Sequence, residues 1–178
     1  MNDFRSDDAW QRDLRDRILV PQFYQCRSPG RFVLMDKGRL ATFMQRRMAV
    51  DTITQGKGGL AVSIEEKIVR WPKSGKAYTA FCLETESCTV QGHKSSGWMV
   101  YGESDYLLYC FHQKDDSLDC HLIDFQRLKE WFWPLEETWP TFQMETRNRT
   151  RGRLVQISQV QGAVPCWRFA LAEERVAA

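Results

Sequence analysis

Two acidic residues, Asp51 and Glu65, interrupt stretches of the chain that otherwise have the composition of β-strands. Asp51 lies in MAVDTIT, residues 48–54, and Glu65 lies in LAVSIEEKIVRW, residues 60–71. Asp and Glu are depleted in strands, and they resist burial unless they are paired or bind a metal ion. These two acids are therefore candidates for a functional site.

The turn between the two stretches predicts how the acids are arranged. QGKGG is typical of a hairpin turn, and a hairpin folded symmetrically about Gly58 places Asp51 directly opposite Glu65. Because side chains alternate along a strand, Lys67 then shares the face of Glu65, whereas Glu66 lies on the other face. The sequence thus predicts two carboxylates and one ammonium group on one side of a hairpin.

Two opposed carboxylates beside a lysine suit a hard divalent cation such as Mg²⁺ or Mn²⁺. Such a cation takes oxygen ligands from one or two carboxylates and completes its shell with water and phosphate. Its charge would offset the repulsion between the acids, and a nearby ammonium group can stabilise charge that develops on a phosphoryl group. The chemistry predicted is metal-dependent hydrolysis of a phosphodiester bond.

A strand acid, a glycine-bearing turn and E-x-K in the next strand resemble the PD-(D/E)xK nuclease superfamily, which has the restriction-endonuclease-like fold. The matching residues are Asp51, Glu65 and Lys67, and MAVDTIT and SIEEKIV look like phage- and bacterium-type members. The match spans roughly residues 40 to 112, with Val50 in place of the family's proline. The resemblance implies an α/β core with a central mixed sheet flanked by helices, a Mg²⁺-dependent site, and cleavage of nucleic acid, with DNA expected.

The E-x-K pattern by itself has little specificity, although Lys67 is the only lysine here with an acid two positions before it. A further metal ligand is predicted at Glu84 if the turn before its strand is one residue longer than the simplest hairpin. The alternative is an exposed polar strand face that also includes Glu86. Some members of the superfamily add an acid from the first helix, for which Asp13 and Asp16 are available, with surface ion pairs as the alternative.

Arginines that could contact phosphate occur in two groups, one just before Asp51 and one in the acid-free run TRNRTRGR. A local basic patch of this kind can bind a phosphate backbone, and a solvated loop is the competing interpretation. The candidates are Arg46, Arg47, Arg147, Arg149, Arg151 and Arg153.

Other features exclude several classes of function. The six cysteines and three histidines lack zinc-ligand spacing, so buried cysteines in a reducing compartment are expected. The chain has no G-x-x-x-x-G-K-[ST], strand-linked G-x-G-x-x-G or G-x-S-x-G motif. No apolar run is long enough for a membrane span, and the N-terminal segment has no apolar signal region. We therefore expect a cytoplasmic protein without a membrane partner.

The elements that would position the site form one mixed α and β domain over residues 1–178, with a core at about 4–135 and a C-terminal strand extension at 138–178. A first helix is predicted from the spacing of Trp10, Leu14 and Ile18, with Pro21 as its end. RFVLM predicts a strand, and GRLATFMQRR is ambiguous. Residues 48–54, 60–71 and 77–88 predict an antiparallel meander.

The second half of the chain continues this mixed pattern. DYLLYCFHQ and LDCHLI predict strands, and Asp124 is expected to cap the helix DFQRLKEWFW, which Pro134 ends. RLVQISQV predicts a strand in the C-terminal extension. One departure from the resemblance is that the superfamily usually follows the lysine strand with a helix, whereas residues 77–88 have strand character.

These observations favour a metal-dependent nuclease in which Asp51 and Glu65 bind Mg²⁺ or Mn²⁺ and Lys67 positions water or stabilises the transition state. The alternative is a catalytically inactive nucleic-acid- or protein-binding module on the same fold. A third interpretation is a structural interaction protein in which Glu65 and Lys67 form a solvated strand face. The oligomeric state stays open, with a homodimer compatible with the sequence.

Overall fold

The computed structural model describes residues 4–26, 31–35, 38–72, 74–88, 94–143 and 150–172. The chain is a mixed α and β protein, as the sequence predicts, and ten strands form two sheets in this described part. No helix among the described residues is long and apolar enough to cross a membrane.

The larger sheet is mixed and contains six strands in the order β1-β2-β3-β6-β7-β10. Neighbouring strands are antiparallel except for β3 and β6, which run parallel. β6 is a nearly continuous apolar run, which fits an interior strand covered on both faces. The strands are β1 Phe32–Leu34, β2 Thr52–Gln55, β3 Ala61–Val69, β6 Tyr106–His112, β7 Leu118–Asp124 and β10 Cys166–Leu171.

The hairpin of β2 and β3 has the predicted register. Thr52 pairs with Ile64 and Ile53 with Ser63, so the next position opposes Asp51 and Glu65. The turn includes the short 3-10 segment Lys57–Gly59, where Gly58 and Gly59 both have φ of +83°, a conformation that favours glycine.

A second, four-stranded sheet corrects the predicted meander. The strand predicted over residues 77–88 forms, but it does not pair with β3 and instead belongs to a sheet of order β5-β4-β9-β8. Its apolar side chains Phe81 and Leu83 are fully buried, and Phe81 contacts the rings of Tyr109 and Phe111 on β6. The strands are β4 Ala80–Cys88, β5 Lys94–Ser96, β8 Thr141–Gln143 and β9 Arg151–Gln156.

The two faces of the six-stranded sheet bury different cores. On one face, Leu107, Tyr109 and Phe111 of β6 pack with the second sheet and with the helix α4, Phe125–Phe132. On the other face, Leu108 and Cys110 pack against the N-terminal helical segment. Because β3 lies beside β6, its own side chains also divide between these two environments.

The N-terminal helix extends further than predicted. α1 spans Phe4–Leu14 and continues as a π-helical segment over Arg15–Gln25, so Pro21 lies inside the segment and does not end it. Phe23 and Tyr24 are buried beyond the proline, and they hold the segment against the sheet.

The ambiguous segment before the hairpin forms α2, Gly38–Met48, which packs on β1 and β2 through a small core around Met35, Ala41 and Val50. The chain then enters β2 through Ala49, whose φ of +49° lies in the left-handed region and costs about 1–2 kcal/mol for a residue with a Cβ. Ser104 Oγ donates to the Ala49 carbonyl, which secures this turn just before Asp51.

The remaining helical segments of the described residues are short. α3 is the single turn Trp98–Tyr101, and α4 spans Phe125–Phe132 with Asp124 as its cap, accepting from Arg127 N at 3.0 Å as predicted. The 3-10 segment Trp133–Thr138 follows α4 and contains Pro134. RLVQISQV is strand only as far as Gln156, where α5, Ile157–Ala163, begins. The C-terminal segment adds β9 to one sheet and β10 to the other.

Gly97 controls how closely α3 approaches β4. A Cβ added at Gly97 would lie 2.5 Å from the Glu84 carbonyl oxygen, whereas one added at Gly162 in α5 meets nothing within 4 Å. We expect Gly97→Ala to lower the free energy of unfolding by about 1–3 kcal/mol through overpacking. The control Gly162→Ala should be neutral or stabilising by up to about 1 kcal/mol. Urea unfolding measures both, and equal effects would contradict this packing.

Candidate active site

The carboxylates of Asp51 and Glu65 face each other at the start of the hairpin. Asp51 directly precedes β2, and its backbone N–H donates to the carbonyl of Ile64 at 2.9 Å, which holds it against β3. The two carboxyl groups interact directly, because Asp51 raises the pKa of Glu65 through both its charge and a hydrogen bond. The structure therefore brings the two predicted acids together.

Lys67 lies on the same face and forms an ion pair with Glu65. The side chain of Glu65 is 5% exposed and that of Lys67 is 33% exposed, so the ammonium group covers the acid and still reaches solvent. The Lys67 ammonium also lies 5.4 Å from the centre of the Trp98 ring of α3. All three residues predicted to carry the chemistry thus occupy one cluster.

The ionisation of this cluster departs from ordinary values. Burial, assisted by the charge of Asp51 and opposed by that of Lys67, raises the pKa of Glu65 to about 8. Burial alone would lower the pKa of Lys67, but the charges of Glu65 and Asp51 together raise it above its usual value. Near neutral pH the lysine is therefore charged, and the Glu65 carboxyl group holds its proton to a higher pH than an ordinary glutamate does.

Asp51 is held from two sides by groups that the sequence interpretation missed. The side-chain amide of Gln45 on α2 donates to Asp51 Oδ1 at 3.2 Å, and the backbone N–H of Glu66 donates to Oδ2 at 2.9 Å. The only sequence signal for Gln45 was its place near the end of a segment whose pattern is ambiguous between helix and strand. Both bonds fix the carboxylate that faces Glu65.

Glu84 approaches the cluster from the second sheet and not by pairing with β3, as the predicted meander had required. Burial raises the pKa of Glu84, and Lys67 opposes this rise, so the two side chains share one electrostatic environment. Tyr101 of α3 belongs to the same environment, because burial raises its pKa and the charges of Lys67 and Glu65 also act on it. β4 and α3 thus form one wall of the site, and α2 forms the other.

Glu66 lies on the opposite face of β3, as predicted, and binds a separate polar group. Its carboxylate accepts from Tyr24 Oη at 2.6 Å and from the hydroxyl of Thr52. Burial and the charge of Asp51 raise the pKa of Glu66 to about 7, while Arg15 opposes the rise. This network connects the N-terminal helical segment to the strand that carries Glu65 and Lys67.

The candidate phosphate-binding arginines that the structure describes lie on two separate elements, α2 and β9. Arg46 and Arg47 are exposed in the last turn of α2, near Asp51, and Arg151 is exposed on β9 opposite Glu86. Arg153 instead forms an ion pair with Glu136 at 3.1 Å and donates to Thr141 at 2.7 Å, which occupies its guanidinium group. Arg147 and Arg149 lie outside the described residues.

The acids of the first helix do not take part in the site. Asp13 pairs with Arg17 at 3.0 Å and Asp16 with Arg15 at 3.4 Å, and both aspartates are exposed. These are the surface ion pairs expected from the sequence as the alternative role of the two acids. Asp13 and Asp16 are therefore occupied away from the cluster of Asp51 and Glu65.

A divalent cation at this position would need oxygen ligands from the cluster. Among the residues that the structure describes, no group of three or more His, Cys, Asp or Glu side chains could hold a metal ion. Mg²⁺, however, is usually held by one or two carboxylates together with water and substrate phosphate. Two opposed carboxylates, one of them buried beside a like charge, fit such a cation.

The raised pKa of Glu65 predicts how stability depends on pH without metal. Because the folded state holds this proton up to about pH 8 and an ordinary Glu only to about 4.5, folding is disfavoured progressively as the pH rises through this window. Urea unfolding in EDTA should show a falling free energy of unfolding, with a smaller fall for Glu65→Gln. Mg²⁺ should reduce the fall in the wild type. Identical pH profiles for the two proteins would contradict the assignment.

Comparisons with models of protein families, with curated proteins and with solved structures found no match to this chain. A function for the cluster must therefore be inferred from its residues, their burial and their contacts.

Proposed function

We propose that the protein is a metal-dependent nuclease that hydrolyses phosphodiester bonds of nucleic acid, with DNA as the expected substrate. The observation that carries this proposal is the cluster of Asp51, Glu65 and Lys67, in which two opposed carboxylates share a strand face with an ammonium group. The nucleic-acid partner and the cytoplasmic location expected from the sequence belong to the same proposal.

The electrostatics of the acids support a cation at this position. Holding two carboxylates opposite each other is unfavourable, and the charge of Asp51 adds to the effect of burial in raising the pKa of Glu65. A divalent cation between them would favour the ionised form of both groups. Asp51 and Glu65 would hold it, and Glu84 is the further acid within the same electrostatic environment.

Each residue then has a distinct role. A bound Mg²⁺ or Mn²⁺ would lower the pKa of a water molecule and offset charge on the phosphoryl group. Lys67, which keeps its charge at neutral pH, would orient water or stabilise the developing negative charge and would not act as a base. Gln45 and the backbone N–H of Glu66 keep the Asp51 carboxylate pointed at Glu65.

The topology is compatible with the restriction-endonuclease-like core that the resemblance implies. β1, β2 and β3 form an antiparallel meander, and the chain then crosses over to β6, which runs parallel to β3. The resemblance leads one to expect a helix in this crossover. Residues 70–105 contain the four-residue α3 together with β4 and β5, so these two strands would be an insertion in such a core, and they pair with β9 of the C-terminal segment to build the second sheet.

One observation favours the alternative, a catalytically inactive nucleic-acid- or protein-binding module on the same fold. The ion pair between Lys67 and Glu65 satisfies the buried acid without any cation. A buried acid with such a partner can be structural. Activity and metal-binding measurements on variants of the cluster separate the two proposals.

The first test is cleavage of plasmid, linear duplex and single-stranded DNA in Mg²⁺, Mn²⁺ or EDTA. Asp51→Asn and Glu65→Gln should abolish metal-dependent cleavage, because each removes ligand charge at nearly constant volume. Without metal, each amide should relieve about 0.2–1 kcal/mol of cross-strand repulsion. Glu130→Gln, at an exposed acid of α4, is the control and should cleave normally. Strong destabilisation by both cluster variants would show that the acids are structural.

The second test concerns Lys67, which distinguishes an enzyme from a binding module. Lys67→Ala should retain Mn²⁺ binding, measured by calorimetry, because the carboxylates remain. Its cleavage rate should fall by roughly 10²–10³, the usual effect of losing one preorganised electrostatic group. A cleavage rate of Lys67→Ala within a few-fold of the wild-type rate would show that Lys67 has no role in catalysis. Wild-type protein that binds nucleic acid but cleaves none under any metal would support the binding module.

A further inference from the structure

The outward face of α2 exposes large apolar side chains. Leu40 is 67% exposed and Phe43 is 54% exposed, although Ala41 on the same helix is buried against β1 and β2. The helix therefore has a packed side, which the small core beneath it explains, and an apolar outer side that no described residue covers. Single exposed apolar residues are ordinary on surfaces, but these two lie three positions apart and so are neighbours on one helix face.

The same helix carries positive charge without any acid. Its sequence, GRLATFMQRRM, includes Arg39, Arg46 and Arg47, and all of them are exposed. None of these arginines forms an ion pair with the residues that the structure describes. Arg39 and Arg46 lie four positions before and three positions after Phe43, so guanidinium groups flank the aromatic ring along the helix.

The position of this face connects it to the cluster of Asp51, Glu65 and Lys67. Gln45, two residues beyond Phe43, donates to the Asp51 carboxylate, and α2 ends three residues before Asp51. The C-terminal end of this face, which carries Arg46 and Arg47, therefore lies close in the chain to Asp51. A polymer lying along the exposed side of α2 would pass this end of the helix.

The chemistry of the face identifies its occupant. Arginines bind phosphate oxygens, and an exposed aromatic ring offers a surface on which an unpaired base can stack. In a duplex the bases are stacked on each other, so Leu40 and Phe43 would gain little from it. A second copy of this chain is disfavoured, because facing helices would bring the arginines of both copies together without any acid on either helix.

We infer that the exposed face of α2, formed by Arg39, Leu40, Phe43, Arg46 and Arg47, binds single-stranded nucleic acid and delivers it to the cluster. This inference rests on the proposed nuclease function, because delivery to the cluster matters only if the cluster cleaves nucleic acid. Phe43 and Leu40 contact an unstacked base, and the arginines contact the phosphates on either side of it. The substrate class that follows is a single strand or an unpaired region, and not an uninterrupted duplex.

The test is binding of a fluorescent oligothymidylate by the full chain in EDTA, followed by anisotropy at several salt concentrations. A duplex of the same length and vesicles of anionic phospholipid are measured in parallel. The variants are Phe43→Ala and the double change Arg46→Gln with Arg47→Gln. The control for Phe43→Ala is Trp167→Ala, which removes a 51% exposed aromatic side chain from β10, the opposite edge strand of the larger sheet. The control for the arginine pair is Lys114→Gln with Arg127→Gln, which removes two positive charges from exposed positions elsewhere.

The wild type should bind the single strand more tightly than the duplex. Phe43→Ala should weaken single-strand binding roughly 5- to 150-fold, the range for loss of one base–aromatic stack, whereas Trp167→Ala should not. The arginine pair should lower the salt slope by about 0.7 for each phosphate that the variant no longer binds. Its charge-matched control should keep the wild-type slope.

Other outcomes overturn the inference and are distinguishable from failure of the nuclease proposal, because binding in EDTA does not require cleavage. If the wild type cleaves nucleic acid and Phe43→Ala binds the single strand normally, the nuclease proposal stands and the inferred role of α2 is wrong. Equal affinity for duplex and single strand, or binding only to vesicles, would also overturn it. So would dimerisation of the wild type that Phe43→Ala abolishes, which would assign the face to a second copy of the chain.

Discussion

The opposition of two carboxylates across one β-hairpin is the constraint on which the site depends. The turn at Gly58 and Gly59 fixes the register, and the register leaves Asp51 and Glu65 facing each other with little solvent around Glu65. Neighbouring groups and burial set the state of both acids. Lys67 pairs with one acid, Gln45 and a backbone N–H hold the other, and the pKa of Glu65 rises to about 8.

The two faces of β3 explain how such an unfavourable pair is held in place. On one face the second sheet and α3 bring Glu84, Trp98 and Tyr101 around Lys67. On the other face, Glu66 is bound by Tyr24 of the N-terminal helical segment and by Thr52 of β2. The strand is thus fixed by polar bonds on both sides, which limits how far the acids can separate.

Local features of this molecule could be predicted from its sequence, and long-range ones could not. The hairpin register and the separation of Glu65 from Glu66 follow from turn chemistry and from strand alternation, both of which act over a few residues. The same turn signals marked β4 as a strand but did not show which strand it pairs with, because pairing depends on distant residues such as those of β9. Gln45 was missed because its segment has apolar residues compatible with more than one structure. Pro21 was misjudged as an end, since tertiary packing of Phe23 and Tyr24 outweighs its local effect.

The proposed nuclease function requires a divalent cation between Asp51 and Glu65, and anomalous diffraction from crystals soaked in Mn²⁺ detects such a cation. We expect an anomalous peak between the two side chains, within about 2.1 Å of an oxygen of each carboxylate. The Lys67 ammonium should then move away from the Glu65 oxygen that binds the cation. A map without a peak at this position, with the ion pair of Lys67 and Glu65 unchanged, would show that the cluster does not bind the cation.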